Sequence, residues 1–317
     1  MDSKYILSDP LKRAVEIALL LQKPLLLCGE PGTGKTTLAK ELARLYSLAP
    51  PPGCAPFYPQ PLVFNTKTTS AATDLFYVYD ALARLRDAYA QGNCLAENYI
   101  ELKALGKAIV LKHGLSSTAL APVKNLAFFK DINNLPDSKD PVSSIVLIDE
   151  IDKAPRDFPN DLLNEIENFQ FDIREMNATV PPVNNQAKIF VVMTSNNEKT
   201  LPDAFLRRCI FHYIDFPKDG LQEILAAHFS GWDGSIDTKP LVDRFNQLRD
   251  LPLNKKPATA EFIDWVQYLS TTGLLDKARQ QFTGLSETEK AALISSLGIM
   301  FKNKNDHNLA IESFGKM

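Results

Sequence analysis

The chain has 317 residues, 45% apolar and 23% charged, enough for roughly two domains of about 150 residues each. Its 35 Lys+Arg against 38 Asp+Glu leave a formal charge of -3, which excludes a strong overall field toward nucleic acid or anionic lipid. Cys28, Cys54, Cys94 and Cys209 have no CxxC spacing and no histidine at zinc-ligand distance, which excludes a disulfide scaffold and a zinc finger and reads as reduced, mostly buried thiols.

The N-terminal MDSKYILSDPLKR lacks the apolar stretch and small-residue cleavage site of a signal peptide. The most apolar region, Ala14 to Cys28, is broken by Glu16, Gln22, Lys23 and Pro24 and is too short to span a bilayer. The expectation is a soluble, cytoplasmic protein. Ser8 or Asp9 can cap a helix whose first position is Pro10, and Leu11, Ala14, Val15, Ala18 and Leu19 form its apolar face. Pro24 ends it, and Leu25 to Cys28 reads as a strand buried on both faces. Similar strands are expected at Leu62 to Asn65, Ile145 to Asp149, Ile189 to Thr194 and Ile210 to Ile214. Helical patterns at Lys35 to Tyr46 and Pro159 to Phe169 alternate with them, which predicts a three-layer α/β core with a parallel sheet.

Two stretches interrupt the alternation: the proline-rich loop at 49 to 61 and an insertion from about 66 to 142. Within the insertion, Leu75, Val78, Leu82 and Leu85 have helical spacing, a second helical pattern runs from Leu95 to Leu105, and DINNLPDSKDP reads as surface loop. From Asp219 onward strand signals stop, and apolar faces recur at Leu221 to Phe229, Leu241 to Leu248, Phe262 to Leu269 and Ala291 to Met300. The boundaries expected are an α/β domain over 1–218 and an all-helical domain over 219–317.

Three segments carry chemistry. Gly29, Glu30, Pro31, Gly32, Thr33, Gly34, Lys35 and Thr36 fit G-x-x-x-x-G-K-[ST], directly after a predicted strand and at the start of a predicted helix, and Thr37 beside them is a further candidate for cofactor binding. The glycines allow backbone N–H groups to turn inward around phosphate, Lys35 neutralises the β and γ charges, and Thr36 offers a hydroxyl to Mg²⁺. Ile145 to Glu150 is an apolar strand ending in two acids, about 115 residues after the P-loop. At a strand's C-terminal end both can reach the crevice of a doubly wound sheet, Asp149 toward Mg²⁺ and Glu150 toward the attacking water. The third segment, Phe190 to Asn197, ends in amides that can orient water; Asn197 suits a turn as well as Asn196 does.

In this order, and with LPDAFLRRC at 201 to 209 following, the chain resembles an AAA+ ATPase of the MoxR type over roughly residues 9 to 230. The resemblance implies that GEPGTGKT is Walker A, IVLIDEID Walker B and MTSNN the sensor 1 segment, whose Asn falls on Asn196. DLLNEIENFQFDI and the turn-rich stretch after it resemble the helix and hairpin that precede sensor 1. LPDAFLRRC resembles the segment that supplies an arginine finger to a neighbouring subunit, with Arg208 the matching residue and Arg207 beside it; a guanidinium suits the spread charge of a phosphoryl-transfer transition state. The alternative for both arginines is an ordinary surface ion pair.

The C-terminal domain departs from the resemblance. A sensor 2 arginine within Ser-Pro-Arg-Ala is common there, whereas Lys255-Lys256-Pro257-Ala258-Thr259-Ala260-Glu261-Phe262 contains none. Lys255 or Lys256 supplies at most a point charge, and an exposed lysine pair is the simpler reading. Phe76, Tyr77 and Tyr79 with Arg84 and Arg86 fit helical core packing best, beside a substrate-gripping element at a ring's pore or a nucleic-acid contact in which bases stack on aromatics; His113, His212, His228 and His307 are scattered; Trp232 and Trp265 read as core of the helical domain. The resemblance implies ATP and Mg²⁺ as cofactors, hydrolysis at the boundaries of a homo-hexameric ring, and remodelling of a protein partner, such as one with a von Willebrand factor A domain. Two other readings stand beside it: a nucleic-acid motor or restriction-type subunit, disfavoured by the acidic balance, and a switch that binds nucleotide without hydrolysing it.

Overall fold

A computed structural model describes residues 5, 7–90, 94–128, 140–196, 198–229, 237–279, 282 and 284–315. Most of the expected surface loop at 131–141, together with Asn197 and Trp232, lies outside them. The chain divides into two compact units, one of residues 7–29 and 35–214, the other of residues 1–6, 30–34 and 215–317.

The first unit is built on strands β1 (Leu25–Gly29), β2 (Leu62–Asn65), β3 (Tyr77–Tyr79), β4 (Ile100–Leu102), β5 (Ser144–Asp149), β6 (Phe171–Ile173), β7 (Ala178–Val180), β8 (Ile189–Ser195) and β9 (Ile210–Ile214). Its helices are α1 (Asp9–Leu21), α2 (Lys35–Leu48), α3 (Ala81–Tyr89), α4 (Ala104–His113), α5 (Phe158–Asn168) and the short α6 (Asp203–Leu206). The five long strands form one sheet in the order β2-β5-β8-β1-β9, and every pairing in it is parallel. The side chains alternate across the sheet. Leu26, Cys28, Val146, Ile148, Val191 and Met193 share a core with Leu105, Ile109, Leu162 and Ile166 of α4 and α5. Leu25 and Leu27, of the opposite pleat, are also fully buried, and α1 and α2 pack on the strands as well. This is the expected three-layer core.

Burial on both faces holds for β1, β5 and β8 but not for β2 and β9, which alternate between half-buried and exposed positions. These two are the edge strands, covered by helices over only part of their surface. The thiols divide in the same way: Cys28 and Cys209 are buried, while Cys54 and Cys94 are half-buried.

The insertion differs from its sequence pattern. Neither helix suggested by the leucine spacing forms as one element. The first pattern breaks into a 3₁₀ turn at Ala72–Leu75, strand β3 and helix α3, and the second into a 3₁₀ turn at Ala96–Tyr99, strand β4 and helix α4. β3 and β4 pair antiparallel, Tyr77 opposite Leu102 and Tyr79 opposite Ile100. Asp80 caps α3 by accepting a hydrogen bond from the Ala83 amide at 2.8 Å. Leu75 is fully buried, whereas Val78, Leu82 and Leu85 are exposed, so the four leucine-spaced positions do not share one buried face.

The second unit contains α7 (Leu221–His228), α8 (Lys239–Arg249), α9 (Thr259–Thr271), α10 (Leu275–Arg279), α11 (Glu287–Ser296) and α12 (Lys304–Gly315). Phe245 stacks on Phe262 with ring centroids 4.2 Å apart. Trp265 is fully buried and donates its indole N–H to Ser296 Oγ at 2.9 Å. Buried Asp306 accepts the amides of Asn254 and Lys255 at 2.9 Å each, which fixes the loop leading to α9. Among the described residues no helix is long and apolar enough to cross a membrane.

Candidate nucleotide site

The parallel sheet brings the C-terminal ends of β5, β8 and β1 side by side, because these strands are neighbours. Crevices at such ends are where open α/β sheets bind ligands. Gly29 closes β1, and Lys35 opens α2, with Thr36 and Thr37 in its first turn. Lys35 is buried, and its Nζ donates to the Gly29 carbonyl at 2.9 Å. Burial pushes its ammonium below the usual lysine range, opposed by Cys28 and by the carboxylates of Asp149, Asp152 and Glu150. A phosphate beside it would favour the charged form.

Thr36 Oγ1 lies 3.0 and 3.2 Å from the two carboxylate oxygens of Asp149, and buried Thr194 of β8 donates its hydroxyl to Asp149 Oδ1 at 2.5 Å. The same Thr194 oxygen accepts the Glu150 amide at 2.8 Å. Thr194 thus fastens the end of β5 to β8 and sets the position of both acids. A hydroxyl and a carboxylate so close together are hard oxygen donors of the kind Mg²⁺ takes when phosphates and water complete its shell. The described residues contain no cluster of three or more His, Cys, Asp or Glu able to hold a metal alone.

Glu150 has left-handed backbone angles, φ 56° and ψ 51°, and starts the 3₁₀ turn Ile151–Lys153. One carboxylate oxygen takes the Lys153 ammonium at 2.5 Å, and the other lies 3.4 Å from the Asn196 side-chain amide. Asn196 is held in turn by Asp152, whose Oδ2 accepts the amides of Asn196 at 3.1 Å and Glu198 at 2.9 Å. The structure therefore brings Lys35, Thr36, Asp149, Glu150 and Asn196 together at the ends of neighbouring strands. It adds Thr194, Asp152 and Lys153, which carried no signal to separate them from ordinary strand-end and surface residues.

Residues Glu30 to Gly34 belong to the helical unit. Thr33 Oγ1 donates to the Glu30 carbonyl at 2.9 Å and closes the turn, and Pro31 is exposed. Gly32 and Gly34 have φ of +74° and +84°, which L side chains rarely adopt. A Cβ on Gly32 would stand 2.6 Å from the Ala258 Cβ, and one on Gly34 2.7 Å from the Tyr5 ring. Burial pushes the Tyr5 phenol up to about 12. The Glu30 carboxylate pairs with Arg249 Nη2 at 2.7 Å; the Arg249 side chain is 3% exposed and that of Glu30 41%. Arg249 also donates to the Pro257 carbonyl and stacks over the Phe216 ring at 3.4 Å, while its Nε has no hydrogen-bond partner among the described residues. Removing the carboxylate leaves a buried cation without its counter-charge. Glu30→Ala is expected to lower stability by about 2 kcal/mol, and Glu30→Gln by less because it keeps an acceptor; urea unfolding of the two variants measures the difference.

Arg208 and Arg207 follow α6 and are exposed, and Arg208 makes one loose ion pair with Glu167 at 3.7 Å. Within a single chain this is the surface ion pair given above as the alternative to a finger. Lys255 and Lys256 are exposed. Phe76 is buried and stacks on Phe171 at 5.4 Å, Tyr77 donates its hydroxyl to Glu175 at 3.0 Å, and the Tyr79 hydroxyl accepts from Arg84 at 2.8 Å. That cluster packs, although β3 rather than a helix carries its tyrosines. Buried His113 bonds the Pro181 carbonyl at 2.8 Å.

Comparison with known proteins agrees with this geometry. None of the curated proteins compared matches the chain. Among solved structures, that of NtrX from Brucella abortus in complex with ADP is similar at 11% identity and a TM-score of 0.45, over 84% of this chain and 51% of that one. The chain thus spans about half the length of that protein. Residues 24–209, more than half of the chain and the whole span from β1 to Cys209, match the family described as AAA domain (dynein-related subfamily). On this match the five-stranded parallel sheet is an AAA+ core, its P-loop is that of a nucleotide-binding ATPase domain, and the chain belongs to the dynein-related subfamily of AAA domains.

Proposed function

We propose that the protein is a MoxR-type AAA+ ATPase that hydrolyses MgATP at subunit boundaries of a ring, most simply a hexamer, and uses the energy to remodel a protein partner. The observation that supports the hydrolytic part is that the Asn196 amide lies 3.4 Å from the Glu150 carboxylate, next to the contact of Thr36 with Asp149, an arrangement that suits a general base, a water-orienting amide and a pair of cation ligands. Lys35 binds the triphosphate, and Thr36 with Asp149 would hold Mg²⁺. The cation, when bound, screens the phosphate charge. Glu150 then takes the proton of the attacking water while Asn196 orients it.

Arg208 is the residue assigned to complete the site of a neighbouring subunit. Its exposure leaves its guanidinium accessible to another chain, with only a 3.7 Å ion pair to Glu167 among the described residues. A partner with a von Willebrand factor A domain fits the MoxR reading and is part of this proposal, as is a cytoplasmic location.

ATP turnover per chain, measured with Mg²⁺ over a range of protein concentrations, is expected to rise and saturate as rings assemble. A rate per chain that stays flat while light scattering shows assembly over the same range overturns the shared site. Mixing inactive Glu150→Gln and Arg208→Ala chains is expected to restore part of the turnover, because some boundaries regain both groups. Absence of recovery at every ratio, with subunit exchange demonstrated by fluorescence transfer, removes Arg208 from the site.

A further inference from the structure

Glu150 is unusual among the site residues in how little holds it. Its side chain is 39% exposed, and its backbone turns away from the sheet in the left-handed region directly after β5. A carboxylate on such a turn can rotate freely, and misplacement of a reacting group by about 1 Å costs up to a hundredfold in rate. Two side chains oppose that rotation: the Asn196 amide lies at Oε1, and the Lys153 ammonium at Oε2.

Lys153 reaches Glu150 because the 3₁₀ turn Ile151–Lys153 places it three residues on, where side chains of such a turn eclipse. The turn is anchored independently at both ends. Fully buried Ile151 and Asp152 hold its start, Asp152 through the amides of Asn196 and Glu198. Lys199 Nζ holds its end, at 3.3 Å from the Lys153 carbonyl. The Lys153 stem therefore rises from a fixed base. Each carboxylate oxygen can accept two hydrogen bonds, so both stay able to accept from a water while Lys153 and Asn196 fix the plane of the group.

We propose that Lys153 is a positioning residue for hydrolysis, a second prong beside Asn196 that holds the Glu150 carboxylate in the orientation needed to receive the proton of water. The inference rests on the reading of Glu150 as the base. A half-exposed ion pair with no such role adds little to stability and leaves turnover unchanged.

The test measures kcat, KM and nucleotide affinity for Lys153→Met, Lys153→Arg and Glu150→Gln in the full chain. Lys153→Met is expected to lower kcat on the order of tenfold with nucleotide affinity and melting temperature unchanged, and Lys153→Arg, which keeps a cation at the same reach, to recover most of the loss. Unchanged kcat in Lys153→Met, or a loss that Lys153→Arg does not relieve, overturns the positioning role while a dead Glu150→Gln still upholds the base. Normal turnover in Glu150→Gln overturns the base itself and the inference with it.

Discussion

Glu150→Gln is expected to bind ATP with unchanged affinity and to hydrolyse it on the order of a thousandfold more slowly, the range in which a positioned general base contributes. The substitution is nearly isosteric, and the Glu150 backbone amide keeps its bond to Thr194, so the end of β5 and the Asp149 position are undisturbed. What disappears is the anion that takes the proton. The Lys153 ammonium loses its counter-charge, but at 40% exposure it is solvated by water, so the fold tolerates the change. Isothermal titration with ATP and a steady-state assay of phosphate release together check the result; affinity and turnover falling in parallel would show that Glu150 helps to bind nucleotide rather than to hydrolyse it.

Lys35→Ala is expected to act at the opposite end of the cycle, with nucleotide affinity weaker by about a hundredfold or more and turnover lost as a consequence. The Lys35 ammonium is buried at the start of α2 and donates to the Gly29 carbonyl. Its loss removes a charge-assisted bond to phosphate, worth about 1.5–3 kcal/mol, and leaves the negative field of Asp149, Asp152 and Glu150 uncompensated. Fluorescent-nucleotide titration reads the effect directly; affinity retained within about threefold, less than 1 kcal/mol, would sink the assignment. The two substitutions thus separate binding from chemistry within one site.

The α/β core was readable from sequence because the signals there are local. Each buried strand is an apolar run bounded by Pro, Gly or a charge, and Gly29 to Thr36 needs only its own eight residues and its place between strand and helix. The insertion was not readable in the same way. Leu75, Val78, Leu82 and Leu85 have helical spacing, yet Tyr77 to Tyr79 is drawn into a strand by Ile100 to Leu102, a partner more than twenty residues on. Three-residue strands are too short for a period of two to be told from one of 3.6. The edge strands were misjudged for a related reason, since an apolar run does not reveal which strand ends the sheet.

The site shows the same division. Lys35, Thr36, Asp149 and Glu150 stand in motifs whose residue types state their chemistry. Thr194, Asp152 and Lys153 act only through geometry: a threonine within an apolar strand, an acid and a lysine after two acids resemble ordinary composition until β5 and β8 are paired. The ion pair of Glu30 with Arg249 joins residues 219 positions apart, and nothing in either local segment announces the other.

The strand order has a consequence for synthesis. β1 lies between β8 and β9, so the strand that carries the P-loop is synthesised well before both of its neighbours, Ile189–Ser195 and Ile210–Ile214. Through that interval Leu25, Leu26, Leu27 and Cys28 have no sheet to enter, and pairing across so long a stretch is slow to form. A nascent chain halted before residue 210 would carry a complete phosphate-binding motif on a strand with one open edge, the kind of species that aggregates or engages chaperones. Nucleotide bound between the ends of β5 and β1 could protect this protein only after β8 has closed the gap between them.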